Sequence, residues 1–162
     1  TLPLIEKGVV PKDINHFRIG EAVFFGSSPL DNKQFLDLST KTFEFHANII
    51  ELDEKRIVPD GIISDGNVGQ AAEFDEGDLS ETTHKAILDF GLLDVDRNDI
   101  DTDDKDISFV GITSDMTVID IGKNKTKDGK KKYRVGDTIC FRPNYMAVAR
   151  LLNSKFIDKE FI

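Results

Sequence analysis

The sequence predicts a mainly β protein: an antiparallel, barrel-like β domain carrying one or two helices. Three observations point there. Thr42 to Leu52 alternates apolar and polar residues, with Phe43, Phe45, Ala47 and Ile49 on one face. Ile107–Ile112 and Thr117–Ile121 are short β-rich runs on either side of the turn residues Ser114-Asp115-Met116. Asp128-Gly129 and Val135-Gly136-Asp137 are turn signals just ahead of the strand-like run Thr138–Phe141.

In chain order, residues 1–15 hold a short apolar patch, Leu2 to Ile5, then Gly8 and the Pro11-Lys12-Asp13 turn signal. Val23-Phe24-Phe25 is an apolar run that reads as the core of a buried strand from Phe17 to Phe25, ended by Gly26-Ser27-Ser28-Pro29. One short helical turn is expected around Phe35 and Leu36. After the alternating strand, Ile57, Val58, Ile62 and Ile63 suggest a second, interrupted strand, followed by a Gly- and Asp-rich loop from Ser64 to Gly77. Asp78-x-x-Glu81 has capping-box spacing and Gly91 can close a helix, so a helix is expected here with Ala86, Ile87 and Phe90 as its apolar face. An acidic loop runs from Asp94 to Asp106. Asn124 to Lys132 is a basic hairpin tip, and Tyr133 is expected to begin a strand. Pro143-Asn144 opens a short helix with Met146, Ala149 and Leu152 on one side, and a last strand is expected around Phe156-Ile157.

Composition narrows the function. The 162 residues are enough for a real core, and 39% hydrophobic with 31% charged residues describes a globular chain. A net charge of −9 argues against nucleic-acid partners and anionic membrane surfaces. No apolar run reaches the roughly 18–20 residues of a transmembrane helix. Thr1–Lys7 lacks the basic start and long apolar core of a secretory leader. The single cysteine, Cys140, rules out a disulfide within the chain and fits a cytoplasmic compartment. Within its strand-like run it reads as a buried small hydrophobe. The chain opens on Thr1-Leu2-Pro3-Leu4 without an initiator methionine, so a fragment of a longer protein is expected.

Several chemical motifs fail on inspection. Asp94-Val95-Asp96-Arg97-Asn98 starts like an EF-hand loop, but the sixth position is Asp99 rather than Gly and the twelfth is Lys105 rather than Glu. His16, His46 and His84 are not paired at metal-ligand spacing, and no metal site is expected. His46 falls on the polar face of its strand, His84 in the expected helix, and His16 lies nearest a possible ligand. The lysines of the hairpin tip have no interleaved aromatics to stack bases. What remains is Arg18 and Gly20: a fixed cation beside a glycine that lets backbone N–H groups approach an anion, which suggests a phosphate-bearing ligand. Tyr145, at a strand-to-helix junction, could donate to the same group.

Asn15-His16-Phe17-Arg18-Ile19-Gly20-Glu21-Ala22 also resembles the last barrel strand of the fold-type III pyridoxal-phosphate racemases, the alanine racemase group, and is closest to its alanine/ornithine branch. Val110–Asp120 is similar to a stretch of that family whose two aspartates match Asp115 and Asp120. Val135-Gly136-Asp137, Asn144-Tyr145 and Arg150 resemble the ornithine racemase branch. The resemblance implies that residues 1–26 end a pyridoxal-phosphate-binding α/β (TIM-type) barrel and residues 27–162 form the C-terminal β domain. It implies an amino acid racemase acting on alanine, ornithine or a related substrate, working as a homodimer.

Carried over, Arg18 would face the pyridine nitrogen of pyridoxal 5'-phosphate. Its permanently charged guanidinium cannot hand that nitrogen a full proton, which weakens the ring as an electron sink. The N–H groups of Gly20 and Glu21 would hold the phosphate, with Tyr145 as a further contact. The family's Schiff-base lysine lies near the start of its barrel, upstream of Thr1, so the isolated chain is expected to be inactive. Where alanine racemase has a catalytic tyrosine in a Val-Gly-Tyr-Gly-like loop, this chain has Val68-Gly69-Gln70, and glutamine carries no proton at useful pH. Asp115 is then the candidate second acid/base. The competing reading is a non-catalytic β domain serving dimerisation or ligand binding.

Overall fold

The computed structural model describes residues 1–58 and 81–162. The chain divides into two compact units, Thr1–Glu44 and Phe45–Ile162. The expected second strand beyond Val58, the Gly/Asp-rich loop, the helix cap at Asp78 and the Gln70 stretch lie outside the described residues.

The second unit is the β domain. Six strands, β1 (Phe45–Arg56), β2 (Thr82–Leu88), β3 (Ile100–Asp101), β4 (Ser108–Ile112), β5 (Thr117–Asp120) and β6 (Thr138–Pro143), form one sheet in the order β3-β6-β1-β2-β5-β4. Every neighbouring pair is antiparallel. The sheet curls into a half-barrel. Phe109 on β4 and Phe141 on β6 are separated by three strands in the order, yet their rings lie 5.9 Å apart. Two register shifts, between Ile49 and Glu51 on β1 and between Phe109 and Gly111 on β4, supply local bends of the kind that let a sheet close on its own core. The core inside the curl is aromatic. Phe90 stands edge-on to Phe45 at 5.1 Å and to Phe141 at 5.8 Å, and Leu88, Ile119 and Ile139 fill in around them.

The alternation expected for β1 holds over Phe45, Ala47 and Ile49, all buried, with His46 and Asn48 facing out. Phe43 lies outside the strand, in the first unit, where its ring packs 5.2 Å from that of Phe25. The β4 and β5 runs and their turn also hold, as does the hairpin tip, closed by a bridge between Lys125 and Lys131.

The helix expected ahead of Gly91 is a strand. Thr82–Leu88 pairs with β1 on one side and β5 on the other, so its backbone groups are satisfied in two ladders. Its alternation puts Ala86 and Leu88, both fully buried, into the core. β-branched Thr82, Thr83 and Ile87 suit that setting. Gly91 does not close a helix. A Cβ there would stand 2.3 Å from the Asp115 nitrogen and 2.4 Å from the Ser114 carbonyl carbon, so only glycine lets the two backbones touch.

The C-terminal helix α3 (Tyr145–Asn153) forms where expected but is rotated. Ala147, Val148 and Leu151 are buried, whereas Met146 and Leu152 are exposed and Ala149 is intermediate. Its N-cap, Asn144, accepts from the Ala147 N–H (3.0 Å) and donates through Nδ2 to Asp99 Oδ1 (2.9 Å), which fixes the entry angle of the helix. Tyr133 begins no strand, and Phe156-Ile157 is irregular, with Ile157 packed against the core and Phe156 exposed.

In the first unit, the buried strand expected over Phe17–Phe25 is absent. Two short helices, α1 (Leu2–Glu6) and α2 (Glu21–Phe25), are its regular elements. Phe17–Ile19 carries no regular structure. In α2 only Ala22 is fully buried, while Val23 and Phe24 are 49% and 58% exposed. The physical reason lies in the two bracketing glycines. Gly20 stands at the N-cap, and Gly26, at φ +64, ends the helix with its N–H on the Ala22 carbonyl. A Cβ on Gly26 would meet the Ser39 carbonyl oxygen at 2.0 Å. The turn expected to be helical at Phe35-Leu36 is instead a tight reversal, with Phe35 buried and Leu36 at φ +54.

Candidate functional site

Arg18, Gly20 and Glu21 are placed together at the start of α2. Arg18 is exposed, Glu21 opens the first turn of the helix, and nothing lies within 4 Å of where a Gly20 Cβ would stand. The first N–H groups of a helix have no intrahelical acceptor. An exposed cation, an open glycine and a helix start suit an anionic group such as a cofactor phosphate. These residues therefore fit the pyridoxal phosphate that the resemblance implies, although Arg18 lies in an irregular segment and Gly20 and Glu21 open a helix, so no strand carries them. His16 is exposed in the irregular segment before them.

Asp115 and Tyr145 belong to the second unit. Asp115 is exposed in the β4–β5 turn, where its Oδ1 accepts from the hydroxyls of Thr113 (3.2 Å) and Ser114 (3.2 Å). Thr113 also accepts from the Met116 N–H and donates its own N–H to the Met116 carbonyl, which closes the turn. Gly91 and the N–H groups of Leu92 and Leu93, on the Thr113 and Ser114 carbonyls, hold that turn from behind. Tyr145 is the first residue of α3 and about half exposed. Asp120, the second matched aspartate, has a structural role: it accepts from Thr83 Oγ1 (2.6 Å) and the Gly122 N–H (2.7 Å) and so ties β5 to the hairpin that follows.

Tertiary contacts bring together groups that sequence spacing kept apart. The acidic loop and the basic hairpin meet at Lys132, whose Nζ bonds Asp104 Oδ1 and Asp106 Oδ2, each at 2.7 Å, while the Tyr133 hydroxyl donates to Asp104 Oδ2. Burial works against the Asp104 carboxylate, but the bonds from Lys132 and Tyr133 outweigh it and hold its carboxyl below the usual range. Burial also opposes the Lys132 ammonium, which its two carboxylates nonetheless hold above the usual lysine range. Burial, then the bond to Asp104, pushes the Tyr133 phenol up to about 12. The same loop caps a 3-10 turn through Asp96, receives Asn144 through Asp99 and pairs Asp103 with Arg142 at 2.7 Å. It is a clamp on β6 and α3 as much as a solvated connection.

Asp104→Ala should cost about 1.5–3 kcal/mol at pH 7, since it leaves the part-buried Tyr133 phenol without its acceptor and removes one of the two carboxylates on Lys132. Urea denaturation would show it. A carboxyl held low in the folded state stabilises above its ordinary value of 3.8, and that contribution is lost as pH falls through the folded-state value. The gap between the parent and Asp104→Ala should therefore narrow in acid. A raised phenol stabilises below its ordinary value of 10.0 and loses that contribution toward 12, so the gap should narrow again in strong alkali.

His84 and Cys140 depart from expectation, and Lys85 is a buried cation beside the first of them. His84 lies on β2, not in a helix, with Nδ1 3.1 Å from the Gly122 carbonyl oxygen. Lys85 is buried on the same strand and donates to the Ile57 carbonyl (2.7 Å). Burial holds its ammonium below the usual lysine range against the pull of Asp120. Cys140 is exposed rather than buried, because Ile139 and Phe141 take the inward positions of β6. It pairs directly across the ladder with His46, a juxtaposition hidden in the sequence by the long stretch of chain between them. Among the described residues, no helix is long and apolar enough to cross a membrane.

No protein-family profile matches the chain, and no solved structure does. Over 159 residues, 98% of its length, it is 29% identical to a protein of Acetoanaerobium sticklandii named ornithine racemase. Over 157 residues, 97% of its length, it is 31% identical to a protein of Thermotoga maritima named lysine racemase. The chain spans 43% of the first relative and 42% of the second, less than half of either. Along nearly all of its length, then, the chain is related in sequence to the C-terminal part of amino acid racemases.

Proposed function

We propose that the chain is the C-terminal part of a pyridoxal-phosphate-dependent racemase that inverts a basic amino acid of the ornithine or lysine kind. One observation carries the reading: similarity in sequence along almost the entire chain to two racemases, each named for an amino acid with a side-chain amine. In this reading residues 1–26 complete the cofactor-binding barrel, and residues 27–162, which include the β unit Phe45–Ile162, form the domain that meets a second subunit in a homodimer.

When bound, the cofactor supplies an electron-withdrawing ring that acidifies the substrate's α-C–H bond. The residues of this chain do the rest. Arg18 would set a permanent positive charge beside the cofactor ring. The N–H groups of Gly20 and Glu21 would hold the phosphate. Asp115, whose Oδ1 accepts from two hydroxyls, would move the proton on one face. The lysine that would serve the other face lies upstream, so the 162 residues alone should not turn over substrate.

The test is made on the protein extended upstream of Thr1. Its visible spectrum is recorded before and after borohydride, and chiral chromatography follows turnover of ornithine, lysine and alanine. A cofactor band abolished by borohydride, with a basic amino acid racemised faster than alanine, is the expected result. Absence of both band and turnover would sink the proposal and leave the β unit a non-catalytic module.

A further inference from the structure

His46 and Cys140 occupy directly opposed positions of the antiparallel β1–β6 ladder. Their chain neighbours Phe45, Ala47, Ile139 and Phe141 all point into the core. Alternation therefore puts the imidazole and the thiol side by side on the outer face of the sheet, where both are exposed. Their ligand atoms and a carboxylate oxygen of Glu44, the residue before β1, all lie within 4.8 Å of one another. Both backbones are fixed by paired strands, and β6 is flanked on both sides, by β1 and β3. The pair is therefore held more rigidly than two residues on loops would be.

We propose that His46 and Cys140, with the carboxylate of Glu44 just ahead of β1 as a third donor, form a binding site for a borderline-soft divalent cation, with zinc the best fit, the remaining coordination position being taken by water. Imidazole nitrogen and thiolate sulfur are zinc's preferred donors, whereas calcium and magnesium take oxygen. Zn–N and Zn–S bonds of about 2.0 and 2.3 Å in a tetrahedral arrangement put the two donor atoms about 3.5 Å apart. From within 4.8 Å, side-chain rotation alone closes that gap. No second cysteine exists in the chain to draw Cys140 into an internal disulfide. With three protein ligands one tetrahedral position stays open, so the site binds more weakly than a closed structural zinc centre and can accept a further ligand. Because His46 and Cys140 meet only once β1 and β6 have paired, bound zinc acts as a cross-strand clip that favours the folded unit. The inference rests on this cluster alone and is independent of the racemase reading.

Alkylation of Cys140 in the intact protein, mapped by peptide mass spectrometry, tests it. A small excess of zinc should slow modification by about tenfold or more, because a metal-bound thiolate is no longer the free nucleophile. Calcium at the same concentration should do nothing. His46→Ala and the bulkier His46→Gln both place their changes on the outer face, and both should remove the protection while leaving the zinc-free rate within about threefold. An unchanged rate in zinc overturns the site, as does protection that survives both His46 variants, since the ion would then be held by other donors.

Discussion

Asp115→Asn, introduced into the protein extended upstream of Thr1, should lower kcat by about 10²–10⁴-fold with little change in stability. The substitution is chosen for what it preserves. Oδ1 of Asp115 accepts from Thr113 and Ser114, and an asparagine carbonyl accepts the same two hydroxyls, so the β4–β5 turn keeps its bonds. What disappears is the second carboxylate oxygen and its capacity to take or release a proton. Urea denaturation of the variant should stay within about 0.5 kcal/mol of the parent, as expected of an exposed site whose contacts survive. A loss of less than about threefold in kcat would show that Asp115 only shapes the turn, and the second proton carrier would have to be sought elsewhere. Cofactor absorbance in the same samples separates lost chemistry from lost cofactor.

Phe141→Ala should cost about 3–5 kcal/mol. Phe141 is fully buried, and its ring faces those of Phe45 at 6.2 Å, Phe90 at 5.8 Å and Phe109 at 5.9 Å. Those three come from β1, from the segment after β2 and from β4, so the cavity would open where the two ends of the curled sheet approach. Neighbouring backbone is held in ladders on both sides of β6 and cannot collapse far into the gap, which places the cost in the upper part of the usual range. Domains of this size are commonly stable by about 5–15 kcal/mol, so the variant should show a much lower urea midpoint at an unchanged slope. A loss under about 1 kcal/mol would mean that the aromatic cluster is not what holds the curl closed.

The elements that were legible in the sequence are those where local pattern and tertiary setting agree. Phe45, Ala47 and Ile49 alternate because one face of β1 is buried, and alternation is visible without a structure. Turn chemistry at Ser114-Asp115 and Asp128-Gly129, and the capping Asn144, announced the β4–β5 turn, the hairpin and the start of α3. The misread elements are those where local signals were ambiguous. Thr82–Leu88 sits between a capping-box spacing and a glycine, and those signals predicted a helix. Two flanking strands made it a strand, because pairing on both edges outweighs a preference worth well under a kilocalorie per residue. Val23-Phe24-Phe25 carries strong β propensity, but glycines on either side close it into one short helix.

The site divides the same way. Arg18 with Gly20 and the Asp115 turn are short-range patterns and were visible as such. The Asp104–Lys132–Tyr133 cluster and the His46–Cys140 pair were not, because each joins segments that only the closed sheet makes adjacent. By itself, then, the sequence determined the β class, the positions of most turns, the acidic character of the chain and the stretches that link it to racemases. Those depend on residues close together in the chain. The tertiary structure alone decided which face of α3 is buried, that β2 is a strand, that Cys140 faces outward and which charges share a bond. Each of these depends on which partner strand satisfies a backbone and covers a side chain, and that choice is made between residues far apart in the chain.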